Sequence, residues 1–385
     1  MKFREDISLS FLDNRFQDIL TLKKEYCGTL PLIDFGIGEE KEMPNLAIIS
    51  ALELALKKKE NHKYTDRGVQ KFIKDSLEYV RKNYGVEADE NEIAITLGNK
   101  EGLSILPSLF VSKNAIVLST KPGYVVLENT ARLYGAKVIS LPLKEENSFL
   151  PDLSSIDENT WKQVSLFSIN YPNNPTGAIA TKEFYETLIE KAKKYGFLIV
   201  NDAAYLPYTY EGKPLSLLSI KGAMDVSVEL HTLSKSHNMT GFRIGFMIGN
   251  KEVISRYKKV CDLFDSGQYA PIQYAASYAL NHPEITEALK QKYYERMHNI
   301  VDIFHAHHME ASMALGTYYL YIKVPTSFLT AKEFANYLLT QLGIMTIPYD
   351  EVGSYVRLSM TYEAQYDLPF YLELDRRLRK LSESK

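Results

Sequence analysis

The stretch His231–Phe246, HTLSKSHNMTGFRIGF, decides how the rest of the chain is read. It continues an apolar run, VSVELHT (226–232), so Lys235 is expected just past the carboxyl end of a strand. Open α/β sheets place their ligands at that edge. Thr232, Ser234 and Ser236 set hydroxyls beside the lysine, and Arg243 follows between Gly241 and Gly245. A lysine met alone reads as a solvated charge; these neighbours change that reading.

Further short β-rich runs lie outward from it: IAITL (93–97), AIVLS (115–119), KVISL (137–141), VSLFSI (164–169), FLIVN (197–201) and RIGFMI (243–248). Several are apolar almost throughout, as strands buried on both faces are. Helical stretches separate them. In KEFYETLIEKAKKYG (182–196), Phe184, Leu188, Ile189 and Ala192 share one face and Gly196 is a stop signal. The alternation predicts an α/β fold in which helices sandwich a mainly parallel, seven-stranded sheet.

The C-terminal part reads differently. A charged helix is expected from about Pro283 to Ala314, then a strand in TYYLYIKV (317–324), a helix over 331–342 and a strand in YVRLSM (355–360). This order predicts a smaller α+β domain over 283–385, an N-terminal arm over 1–40 that joins it, and a large domain over 41–282.

Composition narrows the function classes. The 385 residues carry 45 basic and 48 acidic side chains, and a net charge of −3 argues against nucleic-acid binding through a broad positive surface. Cys27 and Cys261 are too few for a disulfide framework and lack metal-ligand spacing, so a reducing compartment and no metal site are expected. No apolar run approaches the ~18–20 residues of a membrane span. The opening MKFREDISLSFLDN carries charge where a signal peptide needs apolar residues. A cytoplasmic protein without nucleic-acid or membrane partners is the expectation.

The chemistry near Lys235 is specific. A lysine amine condenses with a carbonyl, while hydroxyls and an arginine fork hold a phosphate. Aldehyde and phosphate occur together in pyridoxal 5′-phosphate. TLGNKEGLSIL (96–106) follows a strand, and the amides of Asn99 and Lys100 would open a helix whose N-terminus suits an anion. YPNNPTG (171–177) and NDAAY (201–205) follow the next strands; alone, the first is a turn and Asp202 is a helix cap.

Taken in order, these segments resemble the class I/II aminotransferases of the aspartate aminotransferase type (fold type I). Thr232 stands where that family usually has Ser or Gly, and it keeps a hydroxyl. The resemblance implies pyridoxal phosphate attached at Lys235 and its ring nitrogen held by Asp202. It gives the phenolic oxygen to Asn174 and Tyr205, and the phosphate to Asn99, Lys100, Thr232, Ser234 and Arg243. Tyr124 of KPGY matches the aromatic stacked on the ring. Arg357 matches the clamp for the substrate α-carboxylate, whose planar fork suits that task. Ile37 and Gly38 of DFGIGEE match the backbone that closes over the substrate, beside Asn174. Tyr64 of KYTDRGVQ matches a tyrosine reaching the neighbouring subunit's phosphate, which implies a homodimer with a shared active site.

The implied reaction moves an amino group from an amino acid to a 2-oxo acid such as 2-oxoglutarate. A carbon–sulfur β-lyase on the same scaffold shares these residues and is the alternative. A non-catalytic ligand sensor would need a DNA-binding segment, and residues 1–40 contain no helix-turn-helix pattern. DSGQYAPIQYAA (265–276) and GIGEE resemble the LL-diaminopimelate branch, with aspartate and alanine as further candidate donors.

Overall fold

The computed structural model describes residues 15–363 and 367–383. Residues 1–14, the beginning of the expected N-terminal arm and the segment read against a signal peptide, lie outside the described residues. In chain order the strands are β1 (Ile33–Asp34), β2 (Ile93–Thr96), β3 (Ile116–Lys121), β4 (Lys137–Pro142), β5 (Val164–Ile169) and β6 (Leu198–Asp202). They continue with β7 (Ser227–Thr232), β8 (Gly245–Gly249), β9 (Tyr319–Lys323), β10 (Ile344–Met345), β11 (Ile347–Tyr349) and β12 (Tyr355–Ser359).

Seven strands form one sheet in the order β2-β8-β7-β6-β5-β3-β4. β8 runs antiparallel to β2 and β7, and the remaining neighbours are parallel. β6 and β7 are buried along their whole length because helices cover both faces. The helix Lys182–Tyr195 illustrates the local logic. Thr181 Oγ1 accepts from the Phe184 amide at its start, and Gly196, at φ 77°, ends it. Leu188, Ile189 and Ala192 face the sheet as expected, but Tyr185 rather than Phe184 takes the fourth buried position.

Because the strands are parallel, the carboxyl ends of β2, β3, β5, β6 and β7 meet along one edge, where the oppositely directed β8 begins. RIGFMI was expected to be a strand from Arg243. The strand instead starts at Gly245, because Arg243 adopts a left-handed φ of 51° and turns its side chain towards Ser234 and Leu97.

A second core surrounds two small sheets, the parallel pair β1-β10 and the antiparallel β11-β12-β9. It contains Phe35, Met297, Ile300, Leu320 and Phe334, and also Tyr205 and Tyr208 from the loop after β6. The helix Pro283–Ala306 contributes Ile285 to the first core and Tyr293 onwards to the second. It ends at Ala306, not at the expected Ala314. His308 adopts a φ of 57°, and the Leu315 carbonyl and Gly316 amide bond to Tyr210 and Gly177 instead of a helical ladder.

Gly245 has no room for a side chain, since a Cβ there would fall 2.4 Å from the His231 carbonyl oxygen. Gly245→Ala should push β8 off β7 and lower stability by on the order of 1–3 kcal/mol. Urea unfolding followed by circular dichroism measures this; a wild-type midpoint would contradict the close approach.

Candidate active site

A cavity of about 540 Å³ opens at the carboxyl edge of the large sheet. All the residues expected at the site line it except Arg357 and Tyr64. Their convergence follows from topology: Asn99 lies after β2, Tyr124 after β3, Asn174 after β5, Asp202 ends β6, and Thr232 ends β7.

Lys235 lies in a short helix, Leu233–Ser236, directly after β7. Its Nζ donates to the Gly38 carbonyl at 2.6 Å and lies 5.9 Å from the centre of the Tyr318 ring. Burial pushes the amine below the usual lysine range, with Tyr319 opposing and Arg357 adding to the effect. Tyr208 donates to the Lys235 carbonyl at 2.6 Å, which fixes the short helix from below.

Asp202 is buried at the end of β6, and burial raises its carboxyl above the usual range. The Asn99 side chain opposes that shift by donating to Asp202 Oδ1 at 2.6 Å, and it also donates to the Leu230 carbonyl at 3.0 Å. Sequence reasoning assigned Asn99 only a backbone role, so this side-chain contact is new. Asn99 Oδ1 is buried without a hydrogen-bond partner. Tyr124 is half-buried, and its hydroxyl is pushed up to about 12 by burial and then by Asp202.

Opposite Asp202 is an end built for an anion. The helix Asn99–Phe110 starts at Gly98, which has a φ of 79° and no capping side chain, so its first amides remain free for a ligand. Arg243 bonds to Ser234 Oγ at 3.3 Å and to the Leu97 carbonyl at 3.1 Å. A Cβ on Gly98 would lie 2.8 Å from Arg243 Nη2, filling this cradle. Thr232 Oγ1 accepts from the Ser234 amide at 3.1 Å.

The far wall comes from the second core. Phe35, Gly36, Ile37 and Gly38 have their carbonyls bonded respectively to the Ser359 amide at 3.0 Å, Arg357 Nη2 at 2.7 Å, Thr361 Oγ1 at 3.2 Å, and Lys235 with Tyr318. Arg357 lies behind the wall rather than on it. It is buried, donates to Asn174 Oδ1 at 2.9 Å, and stacks 4.2 Å over Tyr319. Its Nε is buried without a partner. The Tyr205 hydroxyl pairs with Tyr319 at 3.0 Å. Tyr64 is 84% exposed and does not line the cavity.

Several lining residues were missed: Glu39, Asn170, Ala204, Thr240 and Tyr319. Asn170 gave a usable signal, being the first polar residue after VSLFSI. It donates to the Asp202 carbonyl at 2.6 Å and accepts from the Asn174 amide at 2.9 Å. Tyr319 gave none in a chain with 27 tyrosines.

An amine, a buried carboxylate and an open anion cradle in one cavity fit pyridoxal phosphate, and the unpartnered Oδ1 of Asn99, which lines the cavity, points to a polar partner supplied by a ligand. The family model for aminotransferase class I and II matches residues 31–367. The chain belongs to that family. It is a pyridoxal-phosphate-dependent aminotransferase of fold type I.

Curated relatives agree with this assignment. The LL-diaminopimelate aminotransferase of Methanocaldococcus jannaschii is 43% identical over 91% of this chain and 86% of its own. The Aquifex aeolicus enzyme of the same name is 40% identical over 86% and 87%. Among solved structures, substrate-bound BacF from Bacillus subtilis has a TM-score of 0.92 at 29% identity, covering 99% of this chain and 98% of that one. The β-lyase alternative finds no support among these relatives. No helix of the described residues is long and apolar enough to cross a membrane.

Gly98→Ala would force a left-handed residue with a Cβ into the cradle, at a backbone cost of about 1–2 kcal/mol before the steric clash. The aminotransferase should then bind pyridoxal phosphate about tenfold more weakly or worse. Fluorescence titration of the cofactor-free protein measures this, and unchanged affinity would remove the phosphate from this end.

Proposed function

We propose that this aminotransferase takes its amino group from LL-diaminopimelate and gives it to a 2-oxo acid such as 2-oxoglutarate, in amino-acid biosynthesis in the cytoplasm. The donor reading rests on one observation: the curated relatives at 39–43% identity over most of the chain carry the LL-diaminopimelate name. Aspartate and alanine are the donors to test beside it.

Bound pyridoxal phosphate supplies an aldehyde that takes up the amino group and a ring that stores the electron pair freed at the substrate's Cα. Lys235, whose amine burial biases towards the neutral form, would serve as the base that takes the substrate's Cα proton and as the acid that returns it to the cofactor. Asp202 would keep the cofactor's ring nitrogen protonated. That cationic partner favours the ionised carboxylate, which burial alone disfavours. Asn174 and Tyr205 would hold the phenolic oxygen, and Tyr124 would stack against the ring. Thr232, Ser234, Arg243 and the amides of Asn99 and Lys100 would hold the phosphate. Arg357, preset by Asn174, receives the substrate α-carboxylate, while Ile37 and Gly38 cover the substrate.

Two copies of the chain share the site in this reading, each lending Tyr64 to its neighbour's phosphate. Met43, Leu46, Leu54, Leu263 and Phe264 are large apolar side chains left exposed on the single chain, as an interface would use them.

Borohydride reduction of the holoprotein should leave the cofactor covalently fixed to the peptide containing Lys235; a label mapped elsewhere would overturn the assignment of Lys235. With 2-oxoglutarate as acceptor, initial rates should fit ping-pong kinetics and be highest for LL-diaminopimelate. Faster turnover of aspartate or alanine would displace the proposed donor and leave the chemistry of Lys235 intact.

A further inference from the structure

Residues 36–43 form a strap along the far wall of the cavity. Ile37, Gly38 and Glu39 line the cavity, and the next residues turn away from it. Lys41 folds back to Asp34 at 3.5 Å. Glu40 and Glu42 point at the helix Pro283–Ala306. There Lys292 Nζ lies 3.0 Å from a carboxylate oxygen of each glutamate, and Arg296 Nη2 lies 2.7 Å from Glu42. The Tyr293 hydroxyl donates to Glu40.

The far end of this contact is rigid. Arg296 is 1% exposed, donates to the Met360 carbonyl at 2.9 Å and to the Tyr362 carbonyl, and stacks 4.2 Å over the Tyr362 ring. From the other side, Asn238 donates to the Glu42 and Met43 carbonyls at 3.0 and 3.2 Å. The strap is therefore gripped between the second core and the loop that carries Lys235.

We propose that Lys292, seconded by Arg296 and Tyr293, clamps Glu40 and Glu42 to hold the strap closed, so that Lys292 and Glu40 are positioning residues for substrate binding. A segment without regular structure loses conformational freedom when it closes over a ligand, and that loss weakens binding unless it has already been met in the free protein. The clamp meets it beforehand. The Glu40 side chain is 4% exposed, so its carboxylate needs the lysine, whereas Lys292 is 19% exposed and keeps some access to water. The inference goes beyond the donor assignment and holds for whichever amino acid the enzyme uses.

The test is Lys292→Met in the full-length holoenzyme. KM for the amino donor and for the 2-oxo acid should both rise about tenfold while kcat stays within about twofold, because only the closing of the strap is affected. Deuterium uptake over residues 36–43 should accelerate, with the cofactor's absorbance spectrum unchanged. Lys292→Arg keeps the charge and should restore the wild-type KM. If Lys292→Met does not fold, Glu42→Gln, on a more exposed carboxylate, gives the same readouts. Wild-type KM together with wild-type exchange, or a fall in kcat with KM unchanged, would overturn the clamp.

Discussion

The contact on which the site turns is the Lys235 amine on the Gly38 carbonyl at 2.6 Å, which ties the two halves of the molecule together alongside Arg357 on Asn174. The amine is rooted just past β7 in the large sheet, and the carbonyl belongs to a strap anchored in the second core. Burial acts on the charged groups around this contact in one direction. It lowers the lysine and raises Asp202, so each is driven towards its neutral form. A bound cofactor that placed a cationic ring nitrogen at Asp202 and a phosphate at Arg243, as proposed above, would supply opposite charges at both places.

The large sheet explains why these groups meet. Parallel strands end on the same edge, so residues scattered from Asn99 to Lys235 converge without long loops. The antiparallel β8 runs the other way and therefore brings the residues before it, Arg243 included, to that edge. Gly245 makes this possible by letting the backbone of β8 come close to His231 and Thr232. An uncapped helix start at Gly98 completes the anion end with backbone amides rather than with another cation.

The wall facing the sheet is made differently. Its strap has almost no regular structure, so separate donors fix its carbonyls one at a time and ion pairs to the helix Pro283–Ala306 fix its side chains. Aromatic rings fill the space behind it: Tyr205, Tyr208, Tyr318 and Tyr319 pack edge to face or tilted, with centroids 4.8–5.7 Å apart. Arg357 lies within this packing, so its fork is oriented by Asn174, Gly36 and the face of Tyr319 rather than by solvent.

The strands of the large sheet, the lysine after β7 and the aspartate ending β6 were legible in the sequence because each is a local pattern: an apolar run followed at once by a polar residue. The same holds for the helix over 331–342 and for the glycine that stops the helix at Tyr195. What could not be read depends on partners far along the chain. Asn99 meets Asp202 across 103 positions, Tyr205 meets Tyr319 across 114, and Lys292 meets Glu40 across 252. The early end of the helix at Ala306 and the late start of β8 also belong here, since the backbone there bonds to distant segments. Sequence alone thus determined which segments become the strands of the large sheet and which reactive side chains stand at their ends, because those follow from burial and spacing within a few residues. Tertiary structure alone decided which carboxylate, carbonyl or ring each of those side chains meets, because such pairings arise only when remote segments are packed together.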